Sequence, residues 1–235
     1  MASSAAARTV TGMNTLSRRS QWWTPAGLVF LCLVPIGSGL WRLVEIASHP
    51  AVTPNNARFL ENPLPAVVHM VSAMLFCLFG AFQVTRAPRR ASIGWHRLAG
   101  RALAPLGVVA GLSGVWLALA YWTLTKDGPV LFSLRLVVGT AMAACVVKGV
   151  VCVIAGDVSG HRAWMLRGYG LGIAAGTQFF THLPLLLLHG GPDNMSPAQT
   201  TVAMAAGWLI NIVVVERHLR PRSTPHLVSE VSHAR

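Results

Sequence analysis

The stretch VLFSLRLVVGTAMAACVVKGVVCVI, residues 130–154, decides the fold. Its only charges are Arg135 near the start and Lys148 near the end, with uncharged residues throughout between them. A helix that crosses a bilayer needs about 20 predominantly apolar residues to cover a hydrocarbon core about 30 Å thick. Five further blocks repeat the pattern, at residues 25–47, 64–85, 98–122, 163–188 and 197–215. Membrane-spanning strands would instead alternate apolar and polar residues over segments of about ten, so these blocks predict helices.

Composition agrees. Of the 235 residues, 53% are hydrophobic and 11% charged, with a mean hydropathy of +0.54. Soluble domains average about 25% charged residues, which excludes both a soluble globular domain and a disordered chain. The expected architecture is an all-α, polytopic transmembrane bundle of six spans, with spans two to five as its core. Residues 1–24 read as a flexible cytoplasmic tail, 25–216 as the bundle, and 217–235 as a basic cytoplasmic tail. The segment SHPAVTPNNARFLENP (48–63) is rich in Pro and Asn and reads as an exposed loop. Pro197 stands where a helix tolerates proline in its first turn.

Nineteen Lys and Arg face seven Asp and Glu, a net charge of +12. In a soluble protein this balance would suggest nucleic acid. Here the cations sit at span ends, where they set orientation and attract anionic lipid, so no nucleic-acid partner is indicated. One side collects Arg8, Arg18, Arg19, Arg86, Arg89, Arg90, Arg97, Arg101, Lys148, Arg162, Arg167, Arg217, Arg220, Arg222 and Arg235. The other holds Arg42, Arg58, Lys126 and Arg135, partly offset by Glu45, Glu61, Asp127 and Asp193. The asymmetry places both termini in the cytoplasm. Arg42 and Glu45, three residues apart, share a helix face. The four cysteines fall inside apolar blocks without a C-x-x-C pair, as small buried hydrophobes do. GVVAGLSG (107–114), GYGLGIAAG (168–176) and Gly139, Ala143 and Ala144 are small-residue surfaces for close helix packing.

Chemistry rests on the histidines. His69 and His182 lie at similar depth in the outer leaflet, and His96 and His161 pair likewise at the inner boundary. GWHRLAGR (94–101) and SGHRAWMLR (159–167) each put His-Arg at the start of an ascending helix, a weak parallel repeat. Two imidazoles on facing helices ligate haem iron axially, and polar groups inside a membrane are costly enough to suggest function. The leading expectation is therefore a b-type haem-binding electron-transfer protein, a component of a membrane oxidoreductase with a quinone or redox partner, whose haem b lies in the outer leaflet with His69 and His182 as iron ligands. Gln178 would orient His182 or a propionate, and Arg135 or Arg42 would meet propionates. His161 and His182 are separated by about 31 Å of helix, which favours one haem over two. The inner group His96, Arg97, Arg101, His161, Arg162 and Arg167 would hold a quinone headgroup or anionic lipid, and Asp157 would pair with Arg162 or Arg97. A transporter using Arg42, Glu45 and Arg135 along its path, and a non-catalytic lipid-binding accessory protein, are the alternatives. No hydrolase elbow, zincin motif, phosphate loop or dinucleotide fingerprint is present.

His69, GAFQV (80–84), HRLAGR (96–101) and HRAWMLR (161–167) together resemble an uncharacterised bacterial family of predicted membrane proteins with a domain of unknown function. The resemblance implies a multi-span protein of the bacterial inner membrane and no settled activity. Any likeness to b-type membrane cytochromes is one of histidine placement, and span four lacks the histidine that the b561-like pattern expects there.

Overall fold

A computed structural model describes residues 2–53, 56–85, 93–125, 127–191 and 194–220, with side chains from residue 24 onward. The expected side-chain positions of Arg8, Arg18, Arg19, Arg86, Arg89, Arg90, Lys126 and Asp193, and the C-terminal tail beyond Arg220, lie outside that set. The described chain is helical, without a strand. Among the described residues, six helical segments are long and apolar enough to cross a membrane: Thr24–Ser48, Pro63–Val84, Ile93–Ala120, Gly128–Ile154, Val158–His189 and Pro197–Leu219. They are called spans one to six. The helix of span one begins already at Ala2, where the sequence suggested an irregular tail, and carries Pro25 and Pro35 inside it. Span five is two helices, Val158–Gly172 and Ala174–His189.

Local sequence explains the ends. Ser196 caps span six by accepting from the Gln199 N–H while the Gln199 side chain accepts from the Ser196 N–H, with Pro197 in the first turn. Span five ends at Gly190, whose φ of 71° is a left-handed conformation that glycine adopts at little cost. At the break in span five, the Gly170 carbonyl accepts from Asn211 Nδ2 at 3.0 Å. A side chain of span six thus satisfies backbone that a lipid environment would leave stranded.

Small residues set the helix spacing, as the sequence suggested. A Cβ added at Gly111 would lie 2.7 Å from the Gly139 carbonyl oxygen, and one at Gly139 would meet Gly111 at the same distance. Spans three and four therefore cross backbone to backbone. Gly176 likewise admits the Leu31 carbonyl of span one, and Gly80 makes room for the Tyr169 ring. Spans two to five form the packed centre, with Phe76, Cys77, Ala110, Met142, Val146 and Tyr169 buried in it and Cys32 of span one joining them. Outward-facing residues such as Trp41, Leu75, Val137, Ile154, Leu188 and Leu209 remain exposed. In a bundle immersed in lipid that apolar exterior is the solvated surface.

Candidate functional site

The connections alternate between two ends of the bundle. One end holds the loops around Asn56, Tyr121, Asp127 and Gly190; the other holds Thr85, Ile93, Asp157 and Leu219. A cavity of about 490 Å³ runs inward from the Asp127 end. Arg58, Phe59, Tyr121, Trp122, Asp127 and Arg135 line its outer part. His69, Gln178 and Met204 stand along its walls, and Cys32, Cys77, Met142 and Gly172 close its depth. Cys77 is 14 residues beyond Pro63, about 21 Å of helix. The cavity therefore reaches through more than half of a hydrocarbon core about 30 Å thick.

The outer part is built by the segment between spans one and two. Asn56 is buried; its Oδ1 accepts from the Thr53 N–H at 2.6 Å and its Nδ2 donates to the Ala51 carbonyl at 3.2 Å. This knot turns the chain into a short helix, Ala57–Glu61. The Tyr121 hydroxyl donates to the Asn62 carbonyl at 2.7 Å, and the Phe59 ring meets Tyr121 edge-on with centroids 5.6 Å apart. A segment expected as an exposed loop is thus folded onto span three. Two guanidinium groups stack on Phe59: Arg42 lies 4.3 Å and Arg58 4.7 Å from its centroid.

The charges here are unequal in their partners. Arg42 pairs with Glu45, as the spacing suggested, and Glu45 also accepts from Asn56 Nδ2. Arg135 donates to Asp127 at 2.5 Å, and its other Nη lies 3.7 Å from Met204 Sδ. Among the described residues no carboxylate lies within ion-pair distance of Arg58, and its Nε is buried without a hydrogen-bond partner. Burial pulls its pKa below the usual guanidinium value while Asp127 pushes the other way, and the group stays charged near neutral pH.

The two expected haem ligands part company. His69 lines the cavity; its Nδ1 donates to the Ala110 carbonyl at 3.1 Å, with Ser113 Oγ at 3.3 Å. His182 is not among the lining residues, and its Nδ1 donates to the Gln178 carbonyl one turn back at 2.7 Å. The Gln178 side chain turns to the Met204 carbonyl at 3.1 Å. Of the two imidazoles expected to face each other, only His69 is among the cavity's lining residues. Among the described residues no group of three or more His, Cys, Asp or Glu is arranged to hold a metal ion. Arg135 does line the cavity, where it pairs with Asp127.

At the opposite end the expected headgroup cluster is largely engaged with protein. His161 Nδ1 donates to the Gly149 carbonyl at 2.8 Å, Arg162 lies 2.9 Å from His218 Nε2, and Arg167 grips both oxygens of Glu216 at 2.6 and 3.1 Å. Lys148 and Arg167 both stack on Trp164. These contacts tie spans four, five and six together, while Arg97 and Arg101 are exposed on span three. Asp157, expected in an ion pair, instead caps span five, accepting from the Gly160 N–H and the Ser159 hydroxyl, each at 2.8 Å. Neighbouring N–H and O–H donors hold its pKa below the usual carboxylate value.

Sequence reasoning passed over Arg58, Phe59, Tyr121 and Asp127 as site residues. For Arg58 and Phe59 the signal was an Arg-Phe pair inside a Pro- and Asn-rich segment.

Residues 66–218 match the family described as Predicted membrane protein (DUF2306), and the chain belongs to it. No curated protein and no solved structure matches the chain. The matched stretch includes His69, Asp127, Arg135 and Gln178; Cys32, Arg58 and Phe59 precede it.

Proposed function

We propose that this integral membrane protein binds an amphiphilic small molecule in the cavity at the Asp127 end, as a carrier or a binding protein. The observation that carries this reading is the cavity's own polarity: guanidinium, carboxylate and phenol groups outside, methionine, cysteine and glycine within. A volume of about 490 Å³ lies in the range of small-molecule sites, roughly 300–1,000 Å³, and such sites are mostly apolar with a few placed polar groups. The positive-inside pattern supports a bacterial inner-membrane location with both termini cytoplasmic, which puts the cavity mouth on the outer face. An alkaline phosphatase fusion after Arg220 should then be inactive; an active fusion overturns the orientation.

The test of binding is a thermal-shift series on purified protein with anionic, neutral and cationic amphiphiles. A ligand that binds only the folded state raises Tm progressively with its concentration, adding about 2.7 kcal/mol of stability at a hundredfold excess over Kd. Ala73→Phe and Ala175→Phe fill the cavity from two walls and should each remove the shift. A panel without concentration-dependent shifts sinks the reading.

A second reading rests on His69 alone. With Nδ1 donating to a backbone carbonyl, Nε2 is the nitrogen left for a ligand, the tautomer that metal-binding histidines use. Haem held this way would give b-type bands in a reduced-minus-oxidised spectrum, absent in His69→Ala. A featureless spectrum from folded protein supplied with haem overturns it.

A further inference from the structure

We propose that the cavity's ligand is a monoanionic amphiphile and that Arg58 is the residue that recognises its head. The inference rests on the amphiphile reading above and deepens it. Among the described lining residues, two guanidiniums face one carboxylate. Asp127 is committed to Arg135, and the neighbouring Arg42 is committed to Glu45. One positive charge is therefore left over, and it is Arg58.

The position of Arg58 makes that surplus meaningful. An arginine in water needs no protein partner, but Arg58 is half-buried against Phe59, with Nε sealed from solvent and unbonded. A buried polar group without a partner is unfavourable, and the penalty is greater for a charged one. The guanidinium fork suits a carboxylate or phosphodiester oxygen, which it meets with paired, charge-assisted hydrogen bonds. The methionine-lined interior beneath would receive the chain of the same molecule. Asp127 discourages a second negative charge on the head, and the absence of any unpaired carboxylate among the described lining residues disfavours a cation.

The experiment uses full-length protein in phosphatidylcholine nanodiscs and radiolabelled dodecanoate, competed by unlabelled dodecanoate, dodecanol and dodecyltrimethylammonium. Dodecanoate should bind saturably, and dodecanol should compete at least about tenfold more weakly, the fold-change expected for losing a hydrogen bond to a charged group. Arg58→Gln should bring dodecanoate down to the affinity of dodecanol, and Arg58→Lys should recover part of the loss in equally stable protein. Equal competition by all three compounds, or Arg58→Gln binding dodecanoate as the parent does, overturns the anion assignment while leaving the amphiphile site standing. Saturable binding of none of the three overturns the amphiphile reading itself. Adding phosphatidylglycerol to the nanodiscs identifies the source of the head: displacement of dodecanoate points to a membrane lipid, and its persistence to a free amphiphile. Both results carry the same recognition by Arg58.

Discussion

The two ends of the bundle use the same residue types to opposite effect. At the Asp157 end, the cations of spans four and five are committed to protein partners: Arg167 to Glu216, Lys148 to Trp164, and Arg162 to His218. At the Asp127 end, two arginines are neutralised and a third is held against an aromatic ring over a cavity. The contrast teaches that arginine count does not locate a site. What matters is whether the fold gives each charge a partner, because an ion pair closed within the protein has little attraction left for a ligand.

The largest expected difference between the ends concerns glycine. Gly139→Ala places a methyl 2.7 Å from the Gly111 carbonyl oxygen and 2.8 Å from Val115 Cγ2, so spans three and four must separate beside the cavity. Overpacking of this kind costs about 1–3 kcal/mol, and Tm and monodispersity of the purified variant should fall clearly. Gly149→Ala, towards the other end, meets chiefly the Met165 side chain at 2.8 Å. A flexible thioether can move aside, so the loss there should be less than about 1 kcal/mol. Equal losses would show that the cavity end is not the more tightly fixed of the two.

Breaking one ion pair at each end gives a smaller and more selective effect. Asp127→Asn and Glu216→Gln each remove the carboxylate charge facing an arginine that is about 28–29% exposed. Each should cost on the order of 1 kcal/mol or less, since partly exposed pairs are screened by water. Only Asp127→Asn adds a second unpaired cation to the cavity, so it should tighten dodecanoate binding several-fold. Glu216→Gln should leave binding unchanged. A binding change in Glu216→Gln, or none in Asp127→Asn, would erase the functional distinction between the ends.

How much of this was legible in the sequence follows the same division. The six spans, the small-residue crossings and the Arg42–Glu45 pair could be read directly, because each depends on period and near-neighbour spacing. The site could not. Depth along a helix placed His69 and His182 at one level, but depth does not fix azimuth, and His182 turned to its own helix at Gln178. Arg58 escaped notice because Pro and Asn marked its segment as loop, whereas buried Asn56 folds that loop back onto span three. Asp157 sat beside arginines in sequence, yet the free N–H groups of its helix claimed it first. For His182 and Asp157 a local backbone partner took the place of the longer-range pairing that the side chains alone suggested.

The smallest expected effect isolates that last capping contact by pH. The Gly160 N–H and Ser159 hydroxyl stabilise the ionised form of Asp157, so its folded pKa lies below the unfolded value of roughly 3.9. A group shifted this way contributes its stability above the unfolded pKa and loses it as pH falls through the lower folded value. Asparagine is also a good N-cap but does not titrate. Asp157→Asn should therefore be slightly less stable than the parent at pH 7, where the charge also favours the helix N-terminus. Below about pH 4 the two melting curves should converge, because the parent alone gives up this contribution. The remaining carboxylates titrate equally in both proteins and cancel in the difference. Curves that stay parallel down to pH 3 would mean that Asp157 caps span five without its charge contributing to stability.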